Sequence, residues 1–360
     1  MNLKLVFLLF PAFAFSQISF EKVNEKTLKL VSKYQEKENI PGMAISVSYN
    51  DTLIFSEGFG FADLENKIPV NPSKTKFDIA SITKTITAAT LGRLKELNLV
   101  DFNKSVYDYL DSLPKKKYDF TVKQVAGHIS GLKRYPTGED WSTKNTYSIK
   151  DFYKIFQKDE LLFEPGTEHK YSNYGYKMLG LIIESVYKKH IFQAQEDFVI
   201  DKLGMKNTVA YTNNSIENST KFYVREEKKI VLSQDWFYND SAYAEGLLLS
   251  TSEDLIKLGN GFLYAERLLR KETLVELITS QRLKNNKKTH YGIGFQTYID
   301  KNGNFFYGHG GNAIGARGWM YIYPKSKLVV VVLGNLSQSD DAGLVTDIAK
   351  NYIDLIKKQL

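Results

Sequence analysis

The amino-acid sequence predicts a two-lobed α/β fold: an antiparallel sheet flanked by helices and built from both chain ends, plus an inserted, mainly helical lobe. Strand-like patterns open the chain, a helical and loop-rich pattern fills its middle, and strand-like patterns return before a last helix. We assign residues 17–105 to the first part of the α/β lobe, 106–244 to the helical lobe and 245–360 to the second part.

Residues 1–16 have the layout of a secretory signal peptide. Lys4 supplies a positive charge, residues 5–10 are apolar, and Ala14 precedes the expected cleavage site before Gln17. The alternatives are a buried first strand or an uncleaved anchor, but the apolar stretch is too short to span a bilayer. We therefore expect export to the periplasm or the extracellular space. The chain has no cysteine, so no disulfide or lipid-carrying cysteine is expected.

The first elements of the mature chain are predicted to be a β-hairpin and a long helix. Two runs rich in apolar and β-branched residues, at 43–49 and 52–59, flank the short link Asn50-Asp51, which is typical of a tight turn. After a polar loop, apolar residues recur at helical spacing from Ile82 onward. The long helix should therefore begin near Ser81.

The later elements follow from the same patterns. One amphipathic helix is clear in the middle of the chain, at residues 174–187, and a further helix is predicted at 252–264. The strand-like runs beyond it lie at 292–298, 305–307, 318–323 and 328–333, and a closing helix is expected at 340–356. The apolar run at 328–333 is too short for a membrane span, so the mature chain is predicted to have none.

Composition favours an ordinary globular protein. Of the 360 residues, 43% are hydrophobic and 25% charged, and the net charge is +7. This charge could attract an acidic polymer or a membrane surface. The lysine clusters, such as residues 115–117, are short and lack interleaved aromatic residues, so we predict no nucleic-acid partner. Oligomeric state is not readable from the sequence.

The first candidate motif is Ser81-Ile82-Thr83-Lys84, where the polar loop turns into the long helix. Residues three apart share one helix face, so the Lys84 amine can reach the Ser81 hydroxyl. Free N–H groups at a helix start also favour developing negative charge. The alternative interpretation is a capping serine followed by a surface lysine.

The second candidate motif is Tyr171-Ser172-Asn173, which opens the amphipathic helix. A phenol beside a cation can lose its proton and act as a base for a serine nucleophile. The amide of Asn173 could hold the substrate or Lys84. Alternatively, Tyr171 is a core aromatic residue and Asn173 a helix cap.

The third candidate motif is His309-Gly310-Gly311, which follows the strand-like run at 305–307. Glycines there would let a substrate lie against a strand edge. The N–H of Asn312 could join that of Ser81 in an oxyanion hole. A glycine-rich hairpin with an incidental histidine is the alternative.

Together and in this order, the three motifs resemble the S-x-x-K, S-D-N and K-T-G signature of serine β-lactamases and penicillin-binding proteins. The closer resemblance is to the class C β-lactamase branch, whose second motif is Tyr-x-Asn, and to its esterase, D-aminopeptidase and β-lactamase-like relatives with His in the third. It spans roughly residues 28–345 and includes the stretches Phe77-Asp78-Ile79-Ala80, Gly127-His128-Ile129-Ser130-Gly131-Leu132, Phe163-Glu164-Pro165-Gly166 and Glu245-Gly246-Leu247.

The resemblance implies a β-lactamase or transpeptidase-like fold with the site in the cleft between the lobes, and a secreted serine hydrolase that forms an acyl-enzyme. Ser81 would be the nucleophile, and Lys84 and Tyr171 would share the base and acid roles. The implied substrate-binding residues are Asn173, His309, Gly310, Gly311 and Asn312. His128 would be structural. The implied substrate classes are a D-amino-acid peptide such as one from the cell wall, an ester or a β-lactam.

Two positions depart from the family pattern. His309 stands where efficient β-lactamases have a lysine that clamps the carboxylate of a penicillin, so strong antibiotic resistance is not expected. Glu245 stands where relatives usually carry a small residue.

Other functional classes fit less well. No serine has a glycine two residues before it, as the Gly-x-Ser-x-Gly motif of α/β-hydrolases requires. The five histidines are scattered and no His-Glu-x-x-His occurs, so we predict neither a metal nor a cofactor. The remaining rival is a catalytically silent module that binds cell-wall peptide, which the presence of Ser81, Lys84 and Tyr171 disfavours.

Overall fold

An antiparallel sheet built from both chain ends organises the protein. The structure is a computed structural model that describes residues 18–138, 149–212, 215–233, 243–339 and 342–359. The strands are β1 Gly42–Tyr49, β2 Thr52–Asp63, β3 Ile68–Pro69, β4 Phe77–Asp78, β5 Val209–Ala210, β6 Tyr223–Glu226, β7 Lys229–Leu232, β8 Leu248–Ser250, β9 Gln296–Ile299, β10 Phe305–Ala313, β11 Ala316–Tyr323 and β12 Leu328–Gly334. Within the described residues, the main sheet has the order β3-β2-β1-β12-β11-β10-β9. The two ends of the chain meet where β1 pairs with β12.

Helices cover both faces of this sheet and fill the middle of the chain. They are α1 Glu21–Glu38, α2 Thr83–Glu96, α3 Val122–Ala126, α4 Ile149–Lys158, α5 Asn173–Tyr187, α6 Ile191–Gln195, α7 Ser252–Leu263, α8 Lys271–Ile278 and α9 Ala342–Gln359. Among the described residues, no helix is both long and apolar enough to cross a membrane. The predicted fold class is confirmed. The boundaries that we assigned to the two lobes stay a prediction.

The hairpin between β1 and β2 forms as the sequence predicts. Asn50 and Asp51 both have positive φ angles, of 48° and 69°. Two-residue hairpin turns of this kind match the twist of the strands and require left-handed backbone, which Asn and Asp tolerate better than most residues. The local sequence therefore fixes the first strand pair.

Strand β12 lies in the middle of the sheet, between β1 and β11, and all its residues are buried. Val329 and Val331 face a core shared with α7, whereas Val330 and Val332 face a core shared with α1 and α9. A strand that is covered on both faces has no polar side, which explains its continuous valine run. The 328–333 prediction of a buried strand is correct.

The side chain of Asn335 holds the two chain ends together just beyond β12. Its Oδ1 accepts the backbone N–H of Gly42 at 2.7 Å, and its Nδ2 donates to the carbonyl of Phe61 at 3.2 Å. Asn335 is only 1% exposed, so water cannot replace these partners. One amide thus links β12 to β1 and β2.

We expect Asn335→Ala to lower the free energy of unfolding by about 1–3 kcal/mol, because it leaves the buried N–H of Gly42 without an acceptor. Urea denaturation measures the change. Asn351→Ala, on a partly exposed position of α9, is the control and should change stability by less than about 0.5 kcal/mol. Equal stability of the two variants would contradict this role for Asn335.

The mature chain does not open with the predicted hairpin. Helix α1 precedes the hairpin and was not predicted, because only Val23, Thr27 and Val31 are buried among its many charged residues, so its apolar stripe is narrow.

Three later parts of the chain also differ from the sequence prediction. The predicted strand at 292–298 begins only at Gln296, because the preceding loop packs its glycines against backbone: a Cβ on Gly294 would lie 2.6 Å from the carbonyl oxygen of Lys84. Conversely, β10 continues to Ala313, so the His309-Gly310-Gly311 motif lies inside a strand rather than after it. The hairpin of β6 and β7 was not predicted, since each of its strands has only four residues.

Some predictions fall outside the described residues. The predicted signal peptide, residues 1–16, is among them, as are residues 340 and 341 at the start of the predicted last helix. The rest of that helix is present as α9 and continues to Gln359.

Candidate functional site

Ser81 and Lys84 meet as the sequence predicts. The Lys84 Nζ lies 3.0 Å from the Ser81 Oγ and donates to the backbone carbonyl of Glu245 at 2.8 Å. Ser81 is partly exposed, whereas Lys84 is fully buried. The nucleophile candidate is therefore open to a substrate while its partner amine lies behind it.

Ser81 lies in a 3₁₀ turn rather than in the first turn of the predicted α-helix. Residues Ala80–Ile82 form a 3₁₀ turn, and α2 begins only at Thr83. Ala80 has a φ of +43°, a conformation that costs an L-residue roughly 1–2 kcal/mol. The Asp78 Oδ1 accepts the Ala80 N–H at 2.7 Å and so holds the strained backbone in place. Burial raises the pKa of Asp78 to about 7.

Burial sets the protonation of Lys84. It lowers the pKa of the amine to about 7, an effect that the negative charge of Glu245 opposes and the positive charge of Arg134 reinforces. The Lys84 Nζ also lies 5.1 Å from the ring centres of both Tyr171 and Tyr176. Near neutral pH a large fraction of Lys84 is thus an uncharged amine, which can accept the proton of Ser81.

The rate of Ser81 acylation should therefore rise with pH and level off above about pH 7. Below this pKa, Lys84 is an ammonium that cannot accept a proton, so each unit of pH should lower the rate about tenfold. The measurement is the labelling rate of Ser81 by a neutral fluorophosphonate between about pH 5 and pH 9. The Lys84→Ala variant is the control and should lack this dependence. A flat profile in the unmodified protein would contradict a lysine base.

Tyr171 lies beside Ser81 at the entrance to α5. Ser172 caps this helix: its Oγ accepts the N–H of Gly175 at 2.9 Å and donates to the Lys133 carbonyl at 2.6 Å. The Tyr171 hydroxyl is close enough to Ser81 for that side chain to lower its pKa. Neither the Tyr171 Oη nor the Asn173 Oδ1 has a hydrogen-bond partner in the part of the chain that the structure describes. Two buried polar atoms are thus available to a substrate.

Tyr171 is a neutral phenol. Burial raises its pKa well above the ordinary value, and the nearby Ser81 hydroxyl and Arg134 charge only partly oppose this. The sequence-based expectation of a phenolate base took account of the neighbouring cation but not of burial. The structure favours Tyr171 as a proton donor.

His309 is buried on β10 and has both ring nitrogens occupied. Its Nε2 lies 2.8 Å from the Tyr291 hydroxyl, and its Nδ1 lies against the Gly310 carbonyl. A carbonyl can only accept, so Nδ1 carries the proton and Nε2 accepts from Tyr291. Burial also lowers the pKa of His309 to about 3. His309 is therefore neutral and shapes the wall of the site rather than offering a charge to a substrate.

The glycines of the third motif allow β10 to approach the turn that carries Ser81. A Cβ on Gly311 would lie 2.3 Å from the carbonyl oxygen of Ile79, and one on Gly310 would collide with the Trp319 ring. Asn312 is exposed and pairs with Arg317 in the sheet. The structure thus brings the third motif to the nucleophile; the expected oxyanion hole stays a prediction.

Sequence reasoning missed a buried ion pair near Lys84, formed by Glu245 and Lys177. The Glu245 Oε1 lies 3.8 Å from the Lys177 Nζ, and both side chains are almost fully buried. Lys177 follows Asn173 by one helical turn and therefore lies on the same face of α5. This spacing is the sequence signal that could have placed Lys177 at the site. This pair accounts for an acidic side chain at position 245, whose backbone carbonyl also holds Lys84.

His128 contacts the second motif, and its expected structural role stays a prediction. Its Nδ1 accepts the backbone N–H of Ser172 at 3.1 Å, and its ring centre lies 4.2 Å from that of Tyr171. It thereby positions the second motif. In the described part of the chain, no group of three His, Asp or Glu side chains is arranged to hold a metal ion.

Comparisons with known proteins agree with this architecture. The family profile described as Beta-lactamase matches residues 28–352. The human serine beta-lactamase-like protein LACTB, mitochondrial, is 24% identical over 401 aligned positions, which cover 85% of this chain and 73% of LACTB. The resemblance predicted from the motifs is confirmed.

Solved structures share the fold. The octameric penicillin-binding protein homologue from Pyrococcus abyssi superposes with a TM-score of 0.79 at 22% identity, covering 93% of this chain and 79% of that one. The D-amino acid amidase from Ochrobactrum anthropi SV3, complexed with D-phenylalanine, gives a TM-score of 0.80 at 21% identity, covering 94% of this chain and 100% of that one. Since the profile match spans most of the sequence, the chain belongs to the β-lactamase family.

Proposed function

We propose that this protein is a serine hydrolase that cleaves an amide or ester carbonyl through an acyl-enzyme on Ser81. The observation that carries the proposal is the contact of 3.0 Å between the Ser81 hydroxyl and a buried lysine amine whose pKa is about 7. A serine hydroxyl is a weak nucleophile until an adjacent base removes its proton. Burial makes Lys84 such a base at neutral pH.

The proposed reaction has two halves. The Ser81 Oγ forms a bond to the substrate carbonyl carbon while its proton passes to Lys84. The scissile C–N or C–O bond then breaks, and the leaving group takes a proton from Tyr171, which regains one from the Lys84 ammonium. A water molecule attacks the acyl-enzyme with the same groups acting in turn, so that the acid is released and Ser81 is restored.

The proposed substrates are D-amino-acid peptides or amides, esters or β-lactams. The neutral, fully bonded His309 removes the lysine charge with which efficient β-lactamases hold a penicillin, which supports esters and peptides over β-lactams. The D-amino acid amidase of similar fold supports amide substrates. A panel of p-nitrophenyl esters, D-amino-acid amides and a chromogenic cephalosporin would rank these classes.

A neutral fluorophosphonate tests the proposed reaction directly. The intact protein should gain the mass of one phosphonyl group, and peptide mass spectrometry should place it on Ser81. A catalytically silent peptide-binding module, the alternative, should gain none. Partial exposure of Ser81 in front of a buried amine favours the enzyme.

We also propose that the mature protein acts in the periplasm or the extracellular space. The support is the composition of residues 1–16, with Lys4 followed by an apolar run. Expression of the full chain in a bacterial host, followed by mass measurement of the exported protein, should give a species that begins at Gln17.

A further inference from the structure

Arg134 lies beside Tyr171 of the second motif although it belongs to none of the three motifs itself. The backbone N–H groups of Asn173 and Tyr174 donate to the Arg134 carbonyl at 2.9 and 3.1 Å. These bonds fix Arg134 against the first turn of α5, the helix that the second motif opens. The position of this arginine relative to Tyr171 is therefore set by the backbone.

The guanidinium of Arg134 faces the site and is exposed. Its central carbon lies 5.9 Å from the ring centre of Tyr171 and 5.7 Å from that of Tyr135. Its positive charge lowers the pKa of both Lys84 and Tyr171, as expected of a cation close to the reacting groups. Within the described ranges, Arg134 forms no ion pair with a carboxylate, unlike the neighbouring Lys133, which binds Asp159 at 2.7 Å.

The other basic side chains of the site already have partners. Lys84 is buried and bonded to Ser81 and the Glu245 carbonyl. Lys177 is buried against the Glu245 carboxylate. His309, at the third motif, is neutral. Arg134 thus offers a solvent-accessible positive charge on the Tyr171 side of the site, away from the strand where related enzymes carry their lysine.

We infer that Arg134 binds a carboxylate of the substrate and makes the enzyme selective for acidic amides or esters. This inference rests on the proposed hydrolase function. A guanidinium presents two parallel N–H donors that match a carboxylate. With the carboxylate held by Arg134, the Tyr171 Oη and Asn173 Oδ1 remain available for the polar groups beside the scissile bond.

Matched ester pairs test this selectivity. The first pair consists of two p-nitrophenyl esters whose acyl chain ends either in a carboxylate or in the methyl ester of that carboxylate. In the second pair, the carboxylate or its methyl ester is carried by the leaving phenol instead. In at least one pair the wild-type protein should prefer the acid. Arg134→Gln should lower the ratio of kcat/KM for acid over methyl ester about 10- to 100-fold, since a charge-assisted hydrogen bond is lost. Arg134→Lys should restore part of it.

Arg270→Gln is the control, because it removes an equal charge from an exposed arginine at the start of α8. It should leave the ratio within about twofold of wild type. Neutral fluorophosphonate labelling of the wild-type protein separates the two proposals. If Ser81 is labelled but neither pair shows acid preference, or Arg134→Gln keeps that preference, this inference alone is overturned. If Ser81 is neither labelled nor reactive with any ester, both proposals fall.

Discussion

Ser81→Ala is expected to abolish turnover of every substrate and all labelling by a fluorophosphonate. The proposed acyl-enzyme needs an oxygen at this position. Lys84 contacts the Ser81 oxygen, and the strained turn at Ala80 presents it, so a neighbouring oxygen is not expected to replace it. Loss of a catalytic serine lowers kcat by about 10⁴-fold or more. The measurement combines ester hydrolysis with intact-mass analysis after labelling.

Ser185→Ala provides the matched control for this variant. Ser185 lies on α5 and its hydroxyl donates to the Ile182 carbonyl of the same helix, away from Ser81 in the sequence and in its contacts. It should retain wild-type hydrolysis and labelling. Hydrolysis that persists in Ser81→Ala would show that another group is the nucleophile.

Lys84→Met should lower the rate of Ser81 acylation by at least about 100-fold, since general base catalysis is typically worth 10² to 10⁴. Ser81 would keep its position and exposure but lose the amine that takes its proton. Thermal stability should fall modestly, because the buried Glu245 carbonyl loses the amine that donates to it. Single-turnover labelling and a melting curve together measure both effects.

Two further variants sharpen this prediction. Lys84→Arg keeps a positive charge that does not titrate, and should be as slow as Lys84→Met. Lys95→Met removes a charge from the other end of α2, where Lys95 pairs with Glu276, and should acylate at the wild-type rate. A less than tenfold effect of Lys84→Met would assign the base role to another group.

Local sequence patterns predicted several elements of the fold. The Asn50-Asp51 turn, the buried valine strand β12 and the amphipathic helix α5 depend on neighbouring residues alone. The predicted start of β9 was wrong, because the loop before it is shaped by contact with the backbone of α2 and α8. Such contacts join residues far apart in the chain and leave no periodic signal.

The sequence by itself determined the pairing of Ser81 with Lys84, because a spacing of three residues on one turn brings two side chains together in any surroundings. The order of the motifs also determined the family. Only the tertiary structure decided the protonation states, since the pKa values of Lys84, Tyr171 and His309 depend on the segments that bury them. It also decided that Arg134 presents an accessible positive charge: two N–H groups of α5 hold the backbone of this residue beside Tyr171.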